Sequence, residues 1–292
     1  MVYEKEVQMN LETIIYEKDD SIALITLNRP KSLNALSRQL LKELIEVLTE
    51  IEEDDTLGAV VITGAPRPDG RPCFSPGVDL KEANEKGSLV VAAWGAPEDA
   101  LCNTLKAFAD EIEVDLKELS AFDRVAKFPK ATIAAIDGIC TAGGLELAIA
   151  CDMRVVSETA QINDLHMKNL GKMGGGGLQT RLPRLIGAAK TKELLWTGDP
   201  IDGKEALRIG LANRVSAPGK LIENAKELGK KVAAMPRNSI KISKAVINAG
   251  MNMTEHESLR YSDIGSMILE VTMGEKAREG YKAFTAKRKP AL

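Results

Sequence analysis

The sequence predicts a mixed α/β fold, and two observations carry that expectation. Short apolar runs with a β-branched bias alternate with segments of helical period through the first two thirds of the chain. From Ala188 onward helical period alone governs the pattern, so a helical subdomain closes the chain.

The elements follow in order. Residues 21–27, SIALITL, read as a strand stopped by Asn28-Arg29-Pro30. Leu36, Leu40, Leu41, Leu44, Ile45, Val47, Leu48 and Ile51 then recur at helical spacing behind a Ser37 cap, and residues 52–55 end that helix in solvent. AVVIT at 59–63 is a near-continuous apolar run, the pattern of a strand buried on both faces, and 64–72 is a turn-rich loop. Residues 84–120 read as two helical pieces around the Gly95-Ala96-Pro97 break. A strand at 132–136 follows, then a short apolar helix opened by Gly143-Gly144 and running to about Ala150, then a strand at 153–156. Gly174 to Gly177 are four adjacent glycines; no Lys-Ser or Lys-Thr follows, which disfavours a phosphate-binding P-loop. A flexible turn and a place of close backbone approach fit them equally.

Bulk properties narrow the function classes. The 292 residues suffice for one large core with a helical extension. The hydrophobic share of 44% and charged share of 28% are those of a globular protein, and no apolar stretch is long enough to span a bilayer. Residues 1–10 lack the pattern of a secretory signal. Cys73, Cys102, Cys140 and Cys151 form no CxxC pair, and with only two histidines a zinc site is disfavoured; a reduced, cytoplasmic setting fits best. A net charge of −3 offers nucleic acid no global attraction, and the basic run Lys287-Arg288-Lys289 reads as a solvated tail.

Chemistry is expected around residue 143. Glycines ahead of an apolar helix leave amide hydrogens free at its amino terminus, where the dipole favours developing negative charge. Glu146, in the first turn and flanked by Leu145, Leu147, Ala148 and Ile149, is expected in a buried setting that raises its pKa into the range useful for proton exchange. A glutamate that merely complements the helix dipole explains these residues equally well.

The string IAAIDGICTAGGLELAIACDMRVVSETAQI, 133–162, resembles the central block of the crotonase (enoyl-CoA hydratase/isomerase) superfamily. Further blocks agree in order: IALITLNRPKSLNALS at 22–37, CFSPGVDLKE at 73–82, and RLPRLIGAAKTKELLWTGDPIDGKEALRIGLANRV at 181–215. The resemblance implies a crotonase-like spiral of β-β-α units over 1–215, a carboxyl-terminal helical trimerisation region over 216–292, and a homotrimer or homohexamer. It implies an acyl-CoA thioester substrate, with coenzyme A as part of the substrate and no separate cofactor, metal, nucleic-acid partner or membrane. Carried over by motif, the amides of Val78 and Gly143 form an oxyanion hole, and removing one such donor costs roughly 3 kcal/mol of transition-state stabilisation. Glu146 falls on the first acid/base glutamate. Substrate or CoA contacts fall on Lys31, Ser75, Gly77, Asp79, Leu80 and Gly144, and on Lys282 and Phe284, which resemble residues that reach CoA from a neighbouring subunit.

One position departs from the family pattern. Relatives carry a second glutamate a few residues before the Leu-Gly that is here Leu170-Gly171, and residues 161–177 contain none. Counting forward from Ala160-Gln161 reaches His166, counting back from Leu170-Gly171 reaches Met167, so one residue is inserted. His166 and Asp164 are the candidate replacements. The stretch between Asp79 and Pro129 is also longer than the family norm, with Val90, Val91, Trp94 and Phe108 available to shape an acyl pocket or cover surface. The expected reaction is reversible hydration of an α,β-unsaturated, possibly cyclic, acyl-CoA. Its alternatives are double-bond isomerisation, C–C hydrolysis of a cyclic keto-acyl-CoA, and an RNA-binding or non-catalytic homologue.

Overall fold

The computed structural model describes residues 9–86 and 121–288. Val90, Val91, Trp94, Phe108 and Cys102, and most of the region expected to form two helical pieces, lie outside the described residues. Within them, strands β1 (Ile14–Asp19), β2 (Ile22–Leu27), β3 (Ala59–Gly64), β5 (Ala131–Ile136), β7 (Met153–Ser157) and β9 (Arg214–Ser216) form a six-stranded sheet in the order β1-β2-β3-β5-β7-β9. Only β1 runs antiparallel to its neighbour. Three short strands, β4 (Cys73–Ser75), β6 (Ile139–Thr141) and β8 (Gln161–Asn163), make a second, parallel sheet in the order β4-β6-β8.

This topology is a spiral. β3 leads to β4, β5 to β6 and β7 to β8, so each turn places one strand in each sheet before passing to a helix. The helices that follow are α2 (Leu80–Lys86), α4 (Gly143–Ala150) and α5 (His166–Leu170); α1 (Arg38–Glu53) precedes the first turn, and α3 (Ala121–Lys127) precedes β5.

The central strands β2, β3 and β5 of the large sheet are buried on both faces, which is why they read as unbroken apolar runs. Alternate residues divide between two cores. Ala23, Ile25, Val60, Ile62, Ala134 and Ile136 face the larger core with α1 and α4. Ile22, Leu24, Ala59, Val61, Ile133 and Ala135 face a smaller one, closed by Leu221, Ala225 and Leu228 of α9 (Leu221–Ala233). Ser37 caps α1 by accepting from the Leu40 amide, as its position predicts. After α5 the chain is helical apart from β9: α6 (Leu178–Ile186), α7 (Ala188–Thr197), α8 (Gly203–Arg208), α9, α10 (Arg237–Gly250), α11 (Glu255–Met273) and α12 (Glu275–Thr285). Among the described residues no helix is long and apolar enough to cross a membrane.

α4 is the central element, since all eight of its residues are buried. Arg154, 3% exposed, secures its carboxyl end by donating to the carbonyls of Ala148 (3.3 Å) and Cys151 (2.9 Å) and, through Nε, to that of Leu211. A cation at a helix carboxyl end also complements the dipole. Arg154→Met, which keeps apolar volume and removes all these donors, is expected to destabilise the protein by about 3 kcal/mol. A fall in the urea midpoint without loss of secondary structure before the transition would report it.

Candidate active site

Three loops meet where the strands of the small sheet end. Val78 lies just past β4, Gly143 just past β6, and Asp164 and His166 just past β8. Parallel pairing of Ser75 with Cys140 and of Thr141 with Asn163 holds those ends side by side.

The first loop is fixed from behind by Asn34, fully buried, whose side chain donates to the carbonyls of Ala65 (2.8 Å) and Cys73 (2.9 Å) and accepts from the Arg29 amide. Ser75 Oγ donates to Asn34 O and accepts from Gly77 N. Arg29 pairs with Asp79 at 2.8 Å and donates to Ala35 O, tying both sides of the loop together. Leu36 then bridges to Val78 through Leu36 N to Gly77 O and Asp79 N to Leu36 O, a pattern that leaves the Val78 amide unused.

The second loop makes its turn at Ala142, with φ 50° and ψ −123°. Such a conformation costs a non-glycine residue of order 1–3 kcal/mol and is found where function fixes the backbone. Gly143, first residue of α4, receives no side-chain cap, so its amide is one of the free donors of a helix start. The two loops touch, for a Cβ added at Gly77 would lie 2.8 Å from Gly143 N and one at Gly143 would lie 3.2 Å from Val78 N.

Glu146 is 3% exposed, and its Oε1 accepts from the Gly176 amide at 2.8 Å. Burial pushes its carboxyl above the ordinary range, against the lowering influence of the Gly176 amide and of His166. Of the two readings of the four glycines, close approach is the one observed. A Cβ at Gly174 would fall 2.7 Å from Glu146 Oε1 and 2.9 Å from His166 Nδ1, and one at Gly176 would fall 2.5 Å from Glu146 Oε2. Glu146 Oε1 and His166 Nδ1 are thus separated by no more than the sum of the first two distances.

His166 Nδ1 lies 2.6 Å from Asp164 Oδ1. Burial alone would lower the imidazole pKa, yet the hydrogen bond to Asp164 and the charges of Asp164 and Glu146 prevail and raise it. Glu146 and His166 both line a cleft of about 840 Å³, together with Val78, Thr141 and Ala142. Asp164, 1% exposed, and Met167 are not among the residues that line it.

The other sequence-predicted residues divide into three groups. Lys31, Asp79 and Leu80 line the cleft. Ser75, Gly77 and Gly144 sit behind its wall, where they pack the loops together. Lys282 and Phe284 are exposed on α12 and do not line the cleft of their own chain. The sequence reading missed Arg29 and Asn34 as loop supports, although Asn28-Arg29-Pro30 was visible as a strand stop. It also missed Thr141, which lines the cleft and whose hydroxyl is buried without a hydrogen-bond partner among the described residues. No group of metal-ligating side chains occurs among the described residues.

Comparison with known proteins agrees with this architecture. The family Enoyl-CoA hydratase/isomerase matches residues 17–93 and 93–292. The short-chain-enoyl-CoA hydratase of Clostridium acetobutylicum is 34% identical, with 96% of this chain and 97% of that protein covered. The crotonyl-CoA hydratase of Syntrophomonas wolfei is 30% identical, with 96% and 98% covered. The crystal structure of an enoyl-CoA hydratase from Bacillus anthracis superposes with a TM-score of 0.78 at 31% identity, covering 96% of this chain and 99% of that one. The chain belongs to the enoyl-CoA hydratase/isomerase family of the crotonase superfamily, as an enoyl-CoA hydratase-like enzyme.

Proposed function

We propose that the chain adds water reversibly across the Cα–Cβ double bond of an α,β-unsaturated acyl-CoA. The observation that carries this reading is the meeting, in one cleft, of a buried carboxylate and an imidazole beside two loop amides that have no acceptor among the described residues. Glu146 takes a proton from water as its oxygen bonds to Cβ. The π electrons move toward the thioester, and the resulting enolate oxygen is held by the amides of Val78 and Gly143. His166, as imidazolium, delivers a proton to Cα and the thioester is restored. Coenzyme A enters as part of the substrate, and Lys31 on the cleft wall is placed to meet its phosphates.

An imidazole in place of a second carboxylate also fits hydrolytic opening of a cyclic keto-acyl-CoA, with the same amides holding the enolate that departs. Mass-spectrometric turnover of linear enoyl-, cyclic dienoyl- and cyclic keto-acyl-CoA separates the two. Hydration is expected as a gain of 18 mass units on an enoyl substrate; enoyl substrates left untouched while the keto ring opens would reject it. Glu146→Gln is expected to lower kcat by roughly 10²- to 10⁴-fold.

The pH profile follows from the shifts. A base must be ionised, so activity is lost as pH falls through the raised pKa of Glu146; an acid must be protonated, so activity is lost as pH rises through the raised pKa of His166. A bell is expected whose acid limb lies above the ordinary carboxylate range, and His166→Ala is expected to remove the alkaline limb. Gly176→Ala would press on Glu146 Oε2 and is expected to reduce kcat by roughly 10²-fold while CoA binding, read by calorimetry, persists.

Assembly belongs to the same proposal. Leu259, Met267 and Val271 on α11 and Ile247 on α10 are 60%, 59%, 82% and 62% exposed, an apolar surface that favours burial against further copies as a trimer or hexamer. Light scattering is expected to give a trimer or a multiple of it for the native chain and a smaller species for Val271→Asp.

A further inference from the structure

Asp164 is buried to 1% exposure, absent from the cleft wall, and hydrogen-bonded through its carboxylate to the ring and amide of His166. Among the described residues no lysine or arginine pairs with it; the imidazole is its sole ion-pair partner. A buried carboxylate without a cation is costly, and the imidazole is the group placed to supply its counter-charge. Geometry also settles which nitrogen is committed: Nδ1 faces Asp164, which leaves Nε2 to exchange protons with substrate.

We propose that Asp164 is a positioning residue that fixes His166 with a proton on Nδ1, presents Nε2 to the substrate, and favours the imidazolium over transfer of its proton to Glu146. The inference rests on the hydratase reading for its catalytic meaning. In the resulting state Glu146 is the ionised base and His166 the charged acid, which is the state that hydration requires. Without the Asp164 charge that proton moves toward Glu146, whose burial already favours the neutral form, and the base is lost. A carboxylate behind a histidine acts in this way wherever it holds the tautomer and stabilises the imidazolium without exchanging protons itself.

Other charges around the ring are accounted for. Glu146 approaches from α4. Arg181, on α6, donates to Gly176 O and pairs with Asp123 of α3. On and after α5 itself, Lys168 pairs with Asp199, and Lys172 is exposed. None of these cations is bonded to Asp164.

The chain has only two histidines, His166 and His256, and the second is exposed on α11. Proton–carbon NMR of the two Cε1 positions, followed across pH on the full assembly and assigned with His166→Ala, reads the proposal without any turnover. His166 is expected to titrate above an ordinary imidazole in the native enzyme. In Asp164→Asn, which keeps the bond to Nδ1 and removes the charge, its midpoint is expected to fall by about one unit or more. Asp164→Glu, which restores charge, is expected to recover part of the shift. In parallel kcat in Asp164→Asn should fall about tenfold or more with KM within about twofold, and the alkaline limb should move to lower pH. An unchanged His256 resonance and retained CoA binding show that the variant is folded. A His166 midpoint in Asp164→Asn equal to the native one, or native His166 titrating below an ordinary imidazole, would overturn the proposal. If the titration behaves as expected and no enoyl-CoA is hydrated, the hydratase reading fails alone; if hydration holds and the titration does not respond, the inference fails alone.

Discussion

The site depends on the parallel pairing of β4, β6 and β8. Each is only three residues long, yet the chain leaving each one carries a different part of the proposed chemistry: the Val78 amide, the Gly143 amide with Glu146 behind it, and the Asp164–His166 pair. Parallel neighbours lie about 4.8 Å apart, so successive turns of the spiral deliver their loops at the spacing of a small substrate. Ligands bind at the carboxyl ends of parallel strands for the same reason in open α/β sheets. The backbone strain at Ala142 and the Arg29–Asn34–Asp79 network belong to this constraint, since they shape two of the loops that the pairing brings together.

Two physical effects oppose each other at Glu146. The amino terminus of α4 favours a negative charge in its first turn by about 0.3–1 kcal/mol, and the Gly176 amide adds a hydrogen bond to the ionised form. Desolvation in a helix buried on every side favours the neutral form and is the larger influence, so the carboxyl pKa is raised. The glycines at 174 and 176 keep the remaining balance adjustable, because they let backbone rather than a side chain stand against the carboxylate. Arg154 at the far end of α4 means that the helix carrying the base is held at both ends.

What the sequence made legible followed from local physics. SIALITL, AVVIT and 132–136 announce themselves because both faces of the large sheet are buried, and the Ser37 cap and Leu-rich stripe define α1 without any tertiary information. β1 was not read, because IIYEKD is a partly exposed edge strand of mixed polarity. The three strands of the small sheet were not read either, since three residues carry no period and their pairing is entirely non-local. The four glycines stayed ambiguous for a similar reason: what requires Gly174 and Gly176 is the carboxylate of Glu146, far earlier in the chain. The choice between His166 and Met167 is a counting problem in one dimension; in three, His166 begins α5 and lines the cleft beside Glu146, and Met167 is not among the residues that line it.

Exchange of a second glutamate for histidine changes the charge logic of such a site. Two carboxyl groups in one desolvated cleft repel when both are ionised, so one must hold a proton and the useful protonation state is reached by suppressing the charge of a neighbour. A carboxylate and an imidazolium attract, so the charged forms of base and acid support each other and each lowers the cost of burying the other. The arrangement has a weakness, because the same proton can cross from imidazolium to carboxylate and neutralise both. A third charge placed on the far side of the imidazole, out of reach of substrate, biases that exchange without joining it. Asp164 occupies that position, and its burial removes water that would otherwise screen its effect on the ring.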